Sequence, residues 1–496
     1  MTDGALHARF LRGLSKAPDR PAIRVGATTV TFREAHELAL LWAGSLLAAN
    51  RPPLRVGVLA GKSIESYVGI LAALYAGATA VPLHPAFPAA RTRRMLELAE
   101  IAGLIVDDAG RAGLPALGVE IPVLGTHALP VRENRALREP RVSESVAYLL
   151  FTSGSTGTPK GVPISHASTA HYFDLLDARY DFTADDVFSQ TFDLNFDCAM
   201  FDMFCAWGVG ACVVVVPPAA YREMPSFLRD QGVTVWFSTP SAIALIRRMG
   251  GLEPGAMPSL RWSFFAGEAL RCQDAADWQV AAPASTLENL YGPTELTVTI
   301  AAHRWDSAAS PSLGVNGLTP IGTVHPGHEY ILLNESGDLA AVEGELCITG
   351  PQLTAGYLDP DDDGGRFLDR DGKRWYRTGD RVHRQPDGTL VYVGRLDAQV
   401  QIQGWRVELA EVEHALRTCD GVEDAVTVAR VVHDTTELVV FYTGVQVPPA
   451  RLAGGLREIL PAGMLPRRYE HVAEFPLNPN RKIDRRALTT RAQAMP

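Results

Sequence analysis

Apolar residues recur at helical spacing through the first part of this 496-residue chain. From Thr31 to Leu47 they follow Thr31 and Glu34, a pair that fits a capping box, and a helix is predicted there. Val56 to Leu59 reads as a short strand, Ile64 to Tyr75 as the next helix and Ala80 to Pro82 as another strand. Such alternation marks βαβ units around a mostly parallel sheet. The longest uncharged run, Met203 to Ala220, nearly reaches the length of a membrane span. Gly208, Gly210 and Pro217-Pro218 interrupt it, and Val213 to Val216 are β-branched, so a buried strand entered through a Gly turn is predicted. After about Leu313 the pattern changes to short strands at Tyr330 to Leu333, Glu345 to Ile348 and Leu390 to Val393, separated by Gly, Pro and Asp turns. These predict a small β-rich subdomain. From Asp397 a third pattern begins: helix Glu408 to Arg417, strands Ala425 to Val432 and Leu438 to Tyr442, and helix Ala450 to Leu460. Two domains are expected, 1–396 and 397–496.

The length fits this division, since one ordinary core would not serve so long a chain. With 47% hydrophobic and 21% charged residues the composition is that of a soluble globular protein. A net charge of −10 argues against general affinity for nucleic acid or anionic membrane, and neither is expected as a partner. A local basic patch for an acidic partner stays open. Six cysteines (198, 205, 212, 272, 347 and 419) form no CxxC pair, which disfavours a zinc site or a disulfide framework and suits a reducing cytoplasm. The first twenty residues lack the apolar core of a signal peptide. His166 and His171 stand five residues apart with no third ligand, and zinc is not expected.

The sharpest chemical signal is Leu149-Leu-Phe-Thr-Ser-Gly-Ser-Thr-Gly-Thr-Pro-Lys-Gly161. An apolar strand runs into Gly, Ser and Thr. Glycines let backbone N–H groups turn inward to cradle phosphate oxygens. The hydroxyls of Thr152, Ser153, Ser155 and Thr156 add donors, Gly154 and Gly157 add freedom, and Lys160 adds positive charge. A flexible surface linker would not sit directly after an apolar strand or end in Pro-Lys-Gly. No Gly-Lys-Ser/Thr follows, so this is not a Walker loop. Gly57-Val-Leu-Ala-Gly61-Lys62-Ser63 is one residue short of that motif and reads as a strand-to-helix turn.

Thr152 to Gly161 resembles the phosphate-binding loop of the adenylate-forming superfamily, which comprises acyl-CoA synthetases, luciferases and the adenylation domains of nonribosomal peptide synthetases. Further motifs follow in the family's order: Asn289-Leu-Tyr-Gly-Pro-Thr-Glu295, Gly344-Glu-Leu-Cys-Ile-Thr-Gly350, Tyr376-Arg-Thr-Gly-Asp380, Gly394-Arg-Leu-Asp397, Gly404-Trp-Arg-Val-Glu408 and Asn480-Arg-Lys-Ile-Asp484. The resemblance implies an α/β fold: a large N-terminal domain of layered sheets and helices with a β-rich subdomain, plus a small mobile C-terminal α+β domain. It also implies ATP and Mg²⁺ as cofactors. Tyr291 would stack on adenine, with Asn289 and Gly267 at its edge. Thr294 would contact the α-phosphate, Glu295 bind Mg²⁺, and Asp380 take the ribose hydroxyls with Arg395 nearby. Asp397 would be the hinge. Lys482 would reach the substrate carboxylate and the α-phosphate. Arg481 departs from the family's Gly before that lysine, and Gln401 and Gln403 replace basic residues before Gly404.

Asn195 to Phe204 resembles the substrate-binding motif of amino-acid-activating members. It places Asp197 where they hold an ammonium group, with Phe196 as a gate. The alternative is that Asp197 merely caps a helix. A fatty acyl or aryl synthetase has no use for a buried charge at that point. By the same resemblance Cys198, Phe201, Phe237, Phe264, Ala266, Leu290, Val298 and Thr299 complete the pocket. Short, apolar and without a charged partner for a side chain, it suits alanine, glycine or serine, then proline or a small β-amino acid. A separate carrier protein with a phosphopantetheine thiol is the expected acceptor and coenzyme A the alternative. An acyl- or aryl-CoA synthetase, an inactive binding protein of the same fold and a P-loop ATPase are the rival readings.

Overall fold

The computed structural model describes residues 4–48, 54–124, 137–141, 145–153, 158–396, 399–432, 435–476 and 483–495. The chain opens with helix Ala8–Lys16, which the sequence reading does not include, and local signals set the next two helices as predicted. Thr31 accepts the Glu34 N–H at 3.2 Å, and the Glu34 carboxylate takes the Thr31 N–H at 2.8 Å, so a full capping box starts helix Phe32–Leu47. Helix Ile64–Tyr75 is buried on nearly every side, as its apolar sequence requires.

Two large sheets dominate the N-terminal part. One has six strands: Val123–Leu124, Gly103–Val106, Arg55–Leu59, Thr79–Leu83, Val146–Thr152 and Lys160–Ser165, in that spatial order. It is parallel except where the last two strands pair. The other has nine strands and is parallel through its centre, where Val187–Gln190, Val235–Ser238, Trp262–Phe265 and Thr286–Tyr291 lie side by side. Helices pack between the sheets, and one core joins Tyr148 and Leu150 of the first sheet to Phe188, Phe237 and Phe264 of the second. A separate antiparallel sheet, Glu329–Leu333, Glu343–Thr349, Phe367–Arg370, Lys373–Arg384 and Leu390–Arg395, is the β-rich subdomain.

The uncharged run after Met203 is partly a correction. Its first residues complete a helix, Cys198–Val209, and only Cys212–Val215 forms the strand. An apolar run buried all round has no periodicity to separate helix from strand. The boundary is Gly210, whose φ of 86° ends the helix in the left-handed conformation.

C-terminal to Leu390–Arg395 come a hairpin (Gln399–Ile402 with Trp405–Glu408), helix Leu409–Arg417, strands Val422–Val432, Thr435–Gly444 and Arg468–His471, and helices Pro449–Arg457 and Arg485–Gln493. This α+β part has its own apolar core around Val412, Leu416, Leu438 and Val440. Asp397 lies outside the described residues. Among the described residues no helix is long and apolar enough to cross a membrane.

Buried histidines tie this fold to pH. His7, His166 and His325 are each pushed down to about 4 by burial, and His166 Nδ1 accepts the Leu6 N–H at 3.0 Å, which needs a neutral ring. Unfolding restores their ordinary value of about 6.5, so the unfolded chain binds more protons in acid. Their contribution to stability is complete above pH 6.5 and is lost as pH falls toward 4. Thermal melts are expected to show Tm falling across that window; a flat Tm between pH 6.5 and 4.5 would refute the assignment.

Candidate functional site

The carboxyl ends of the parallel strands converge on a cavity of about 660 Å³. Thr152 and Ser153 reach it from the Val146–Thr152 strand, Thr239 and Gly267 from the turns after two strands of the larger sheet, and Asn289, Leu290 and Tyr291 from the end of a third. Open α/β sheets place ligand sites at these strand ends, where the backbone turns away and leaves a crevice.

One end suits a nucleoside. The Tyr291 hydroxyl donates to Asp380 at 2.5 Å, and Arg395 holds the other Asp380 oxygen at 2.7 Å. Asn289 is fixed by its amide, which donates to the Pro320 carbonyl at 2.8 Å. Burial, with Asp380 adding, keeps Tyr291 a neutral phenol. An aromatic face, an anchored carboxylate and an oriented amide can recognise a base and its ribose.

The other end carries Asp197, which is 8% exposed at the start of helix Cys198–Val209. It makes no capping hydrogen bond, and its Oδ2 is buried without a partner. Burial raises its pKa to about 6, against the Thr294 hydroxyl and the Cys198 N–H, while Glu295 adds to the rise. Phe196 and Cys198 line the cavity beside it, with Leu290 and Thr294. Phe201, Phe237 and Phe264 are fully buried behind that wall, with ring centroids 4.9 Å (Phe201–Phe237) and 5.2 Å (Phe201–Phe264) apart. They fill the end of the crevice rather than line it. Ala266, Val298 and Thr299 are likewise buried away from the opening.

Glu295 is 1% exposed. Burial pushes its pKa up, but Arg406 at 3.0 Å and the Tyr357 hydroxyl at 2.7 Å outweigh burial and hold it below the usual carboxylate range. Its oxygens are thus taken by Arg406 and Tyr357, and it does not line the cavity, so a hard divalent cation would have to displace the guanidinium to reach it. Lys160 does not reach the cavity here; its ammonium pairs with Asp362 at 3.2 Å and lies over the Tyr357 ring. Gly154, Ser155, Thr156, Gly157 and Lys482 fall outside the described residues.

Several neighbours have no role that the sequence alone reveals. The hairpin turns through Gln403 and Gly404, both at positive φ (48° and 85°), a two-residue turn of the type that matches strand twist. Its tip enters the cavity mouth. The Gly404 N–H donates to Glu268 at 2.9 Å, Trp405 meets Phe196 edge-on at 5.1 Å, and the Ser153 hydroxyl donates to the Arg406 carbonyl at 2.6 Å. A buried ion pair between Arg91 and Glu411 joins the same two parts. The motif Gly404 to Glu408 marks the segment, but its partners Ser153, Glu268 and Glu295 lie more than 100 residues away and carry no local signal.

Residues 10–358 match the model of the family described as AMP-binding enzyme. The chain belongs to that family. Within the AMP-binding enzymes, ligases that form acyl adenylates, it resembles the adenylation domains of nonribosomal peptide synthetases. It is 31% identical to Tyrocidine synthase 1 of Brevibacillus parabrevis over 98% of its own length, and spans 45% of that protein. It is also 31% identical to Bacitracin synthase 1 of Bacillus licheniformis, again over 98% of its length, but spans only 9% of that much longer chain. Among solved structures, IdnL7 is 58% identical, with 99% of each chain covered and a TM-score of 0.77. The Vibrio cholerae adenylation domain AlmE, in complex with glycyl-adenosine-5'-phosphate, is 28% identical, covers 98% of this chain and 97% of its own, and superposes at 0.87. PA1221, an NRPS protein containing adenylation and PCP domains, is 27% identical over 98% of this chain and 84% of its own, at 0.84.

Proposed function

We propose that this AMP-binding enzyme joins a small amino acid to ATP as aminoacyl-AMP with release of pyrophosphate. The acyl group then passes to a nucleophile on the phosphopantetheine arm of a separate carrier protein, expected to be its thiol. The observation that carries the reading is Asp197, a buried carboxylate at the cavity wall whose Oδ2 has no partner. A substrate ammonium would satisfy it, whereas an amine-free acid would leave it unpaired. The aromatic plug of Phe201, Phe237 and Phe264 favours a short side chain. The glycyl adenylate held by AlmE and the carrier domain of PA1221 support the same assignment.

In the first step a substrate carboxylate oxygen attacks the α-phosphorus, and the bond to pyrophosphate breaks. Two anions must meet, so positive charge is needed where negative charge develops. Lys482 and Lys160 are assigned to supply it, with Thr294 donating to the phosphate and Glu295 holding the metal. Tyr291, Asn289, Gly267, Asp380 and Arg395 are assigned to the nucleoside, and Thr152 to Gly157 to the phosphates. In the second step the acceptor attacks the acyl carbon and AMP leaves. The hairpin tip then belongs at the cavity mouth, and residues 397–496 are assigned to swing about Asp397 between the two steps. The superposition values fit such a swing: IdnL7 matches less well at 58% identity than AlmE at 28%.

ATP–pyrophosphate exchange against the protein amino acids, D-alanine, small β-amino acids, acetate and benzoate tests the reading. Exchange is expected with alanine, glycine or serine. Proline alone would move the substrate to that branch. Exchange with an amine-free acid alone would overturn the role of Asp197 and favour an acyl-CoA synthetase. Absence of exchange with every acid would favour the inactive binding protein. Intact mass of a loaded carrier, with lability to hydroxylamine, reports whether the acceptor is a thiol.

A further inference from the structure

Directly after Thr294 and Glu295 the backbone does something expensive. Thr297 and Val298, both β-branched, have φ of 57° and 67°. The Thr299 N–H donates to the Thr297 carbonyl at 2.9 Å, which closes a γ-turn around Val298. A γ-turn with positive φ is the rare, strained form, and β-branched residues resist it most. Such a conformation persists only when its surroundings over-determine it.

The surroundings here centre on Gln352, which is fully buried on the segment after strand Glu343–Thr349. Its side-chain amide donates to the carbonyls of Leu296 at 3.0 Å, Thr297 at 3.2 Å and Thr299 at 2.9 Å. Three carbonyls converging on one atom fix that atom as the NH₂. The Thr297 hydroxyl donates to the main-chain carbonyl of Gln352 at 2.7 Å. On the far side the Tyr172 and Thr299 hydroxyls meet at 2.9 Å. Gly292 closes the clamp from below: a Cβ there would lie 2.6 Å from the Val298 carbonyl oxygen and the Thr299 Cα.

We propose that Gln352 is a positioning residue for the reaction: it holds the strained turn so that Thr294, on the cavity wall, and Glu295, in its buried pair with Arg406, keep their places at its N-terminal edge. The two hydrogens of its NH₂ are shared among three inward carbonyls of the turn, and buried acceptors stripped of a donor are costly. This inference rests on the proposed function for its kinetic consequences, and on the clamp geometry alone for its structural ones.

Gln352→Met keeps the side-chain length and removes the donor. In the full chain the amino acid KM and the Mg²⁺ concentration for half-maximal exchange are each expected to rise about tenfold. The ATP KM should rise less than either, since Asp380 and Arg395 at the nucleoside end belong to strands Lys373–Arg384 and Leu390–Arg395. Hydrogen–deuterium exchange of residues 292–301 should accelerate while residues 64–75 are unchanged. Thr297→Val, which removes the returning hydroxyl, should shift the same constants about threefold and serves if Gln352→Met does not fold. Unchanged exchange at 292–301, or faster exchange everywhere, overturns the clamp, as does an equal shift in all kinetic constants. Local acceleration in a protein whose wild type activates no acid would uphold the clamp and sink the proposed reaction.

Discussion

Asp197→Asn is expected to raise the amino acid KM by roughly 10²–10³ while leaving ATP binding intact. Breaking a buried ion pair by removing one partner costs about 3–5 kcal/mol, and each 1.4 kcal/mol is a factor of ten. The same variant should not harm the free protein. Asp197 Oδ2 is buried without a partner, and relieving it should leave Tm equal or higher. The pair must also follow pH. With a pKa of about 6 the carboxylate is half neutral at that pH and cannot hold an ammonium below it. Wild-type kcat/KM for the amino acid should therefore fall as pH drops through about 6, and that limb should vanish in Asp197→Asn. Unaltered amino acid KM in the variant would remove the ammonium anchor from the site.

Glu295→Gln should lower pyrophosphate exchange by roughly 10²–10³, the usual loss when one preorganised electrostatic partner of the transition state is removed. Excess Mg²⁺ should recover part of it. Glu295 has a second partner to lose: its carboxylate holds Arg406 at 3.0 Å, with the Tyr357 hydroxyl on the same group. A neutral amide leaves that guanidinium buried without its counter-charge. The variant should then loosen the hairpin tip, which Trp405 fluorescence would report as a shift toward longer wavelength. Exchange that keeps its wild-type rate and Mg²⁺ dependence would take Glu295 out of the metal-binding role.

Much of the fold is legible in the sequence because it is local. The Thr31/Glu34 box and the apolar spacing of Ile64 to Tyr75 specify their helices from within a few turns. The helix end at Gly210 escapes a sequence reading because a run buried on all sides carries no phase. At the site, residue types are readable but their partners are not. Asp380 with Tyr291 and Arg395, Glu295 with Arg406, and Gln352 with the 296–299 carbonyls join segments 15 to 111 residues apart. Such pairings are decided by how sheets and hairpin stack, which no window of sequence contains. The phenylalanines illustrate the gap: family resemblance assigns all three to the pocket wall, yet their packing against one another places them one layer behind it.

That hidden layer links what the enzyme accepts to how well it folds. Removing any one of Phe201, Phe237 or Phe264 to admit a longer substrate deletes a fully buried ring, at about 3–5 kcal/mol, a large fraction of the stability of an ordinary domain. On the proposed function, widening the pocket through these rings trades directly against stability. A lineage drifting toward bulkier acids must first accumulate stabilising changes elsewhere, and a directed-evolution campaign started from a reinforced background should reach new specificities that the parent cannot survive.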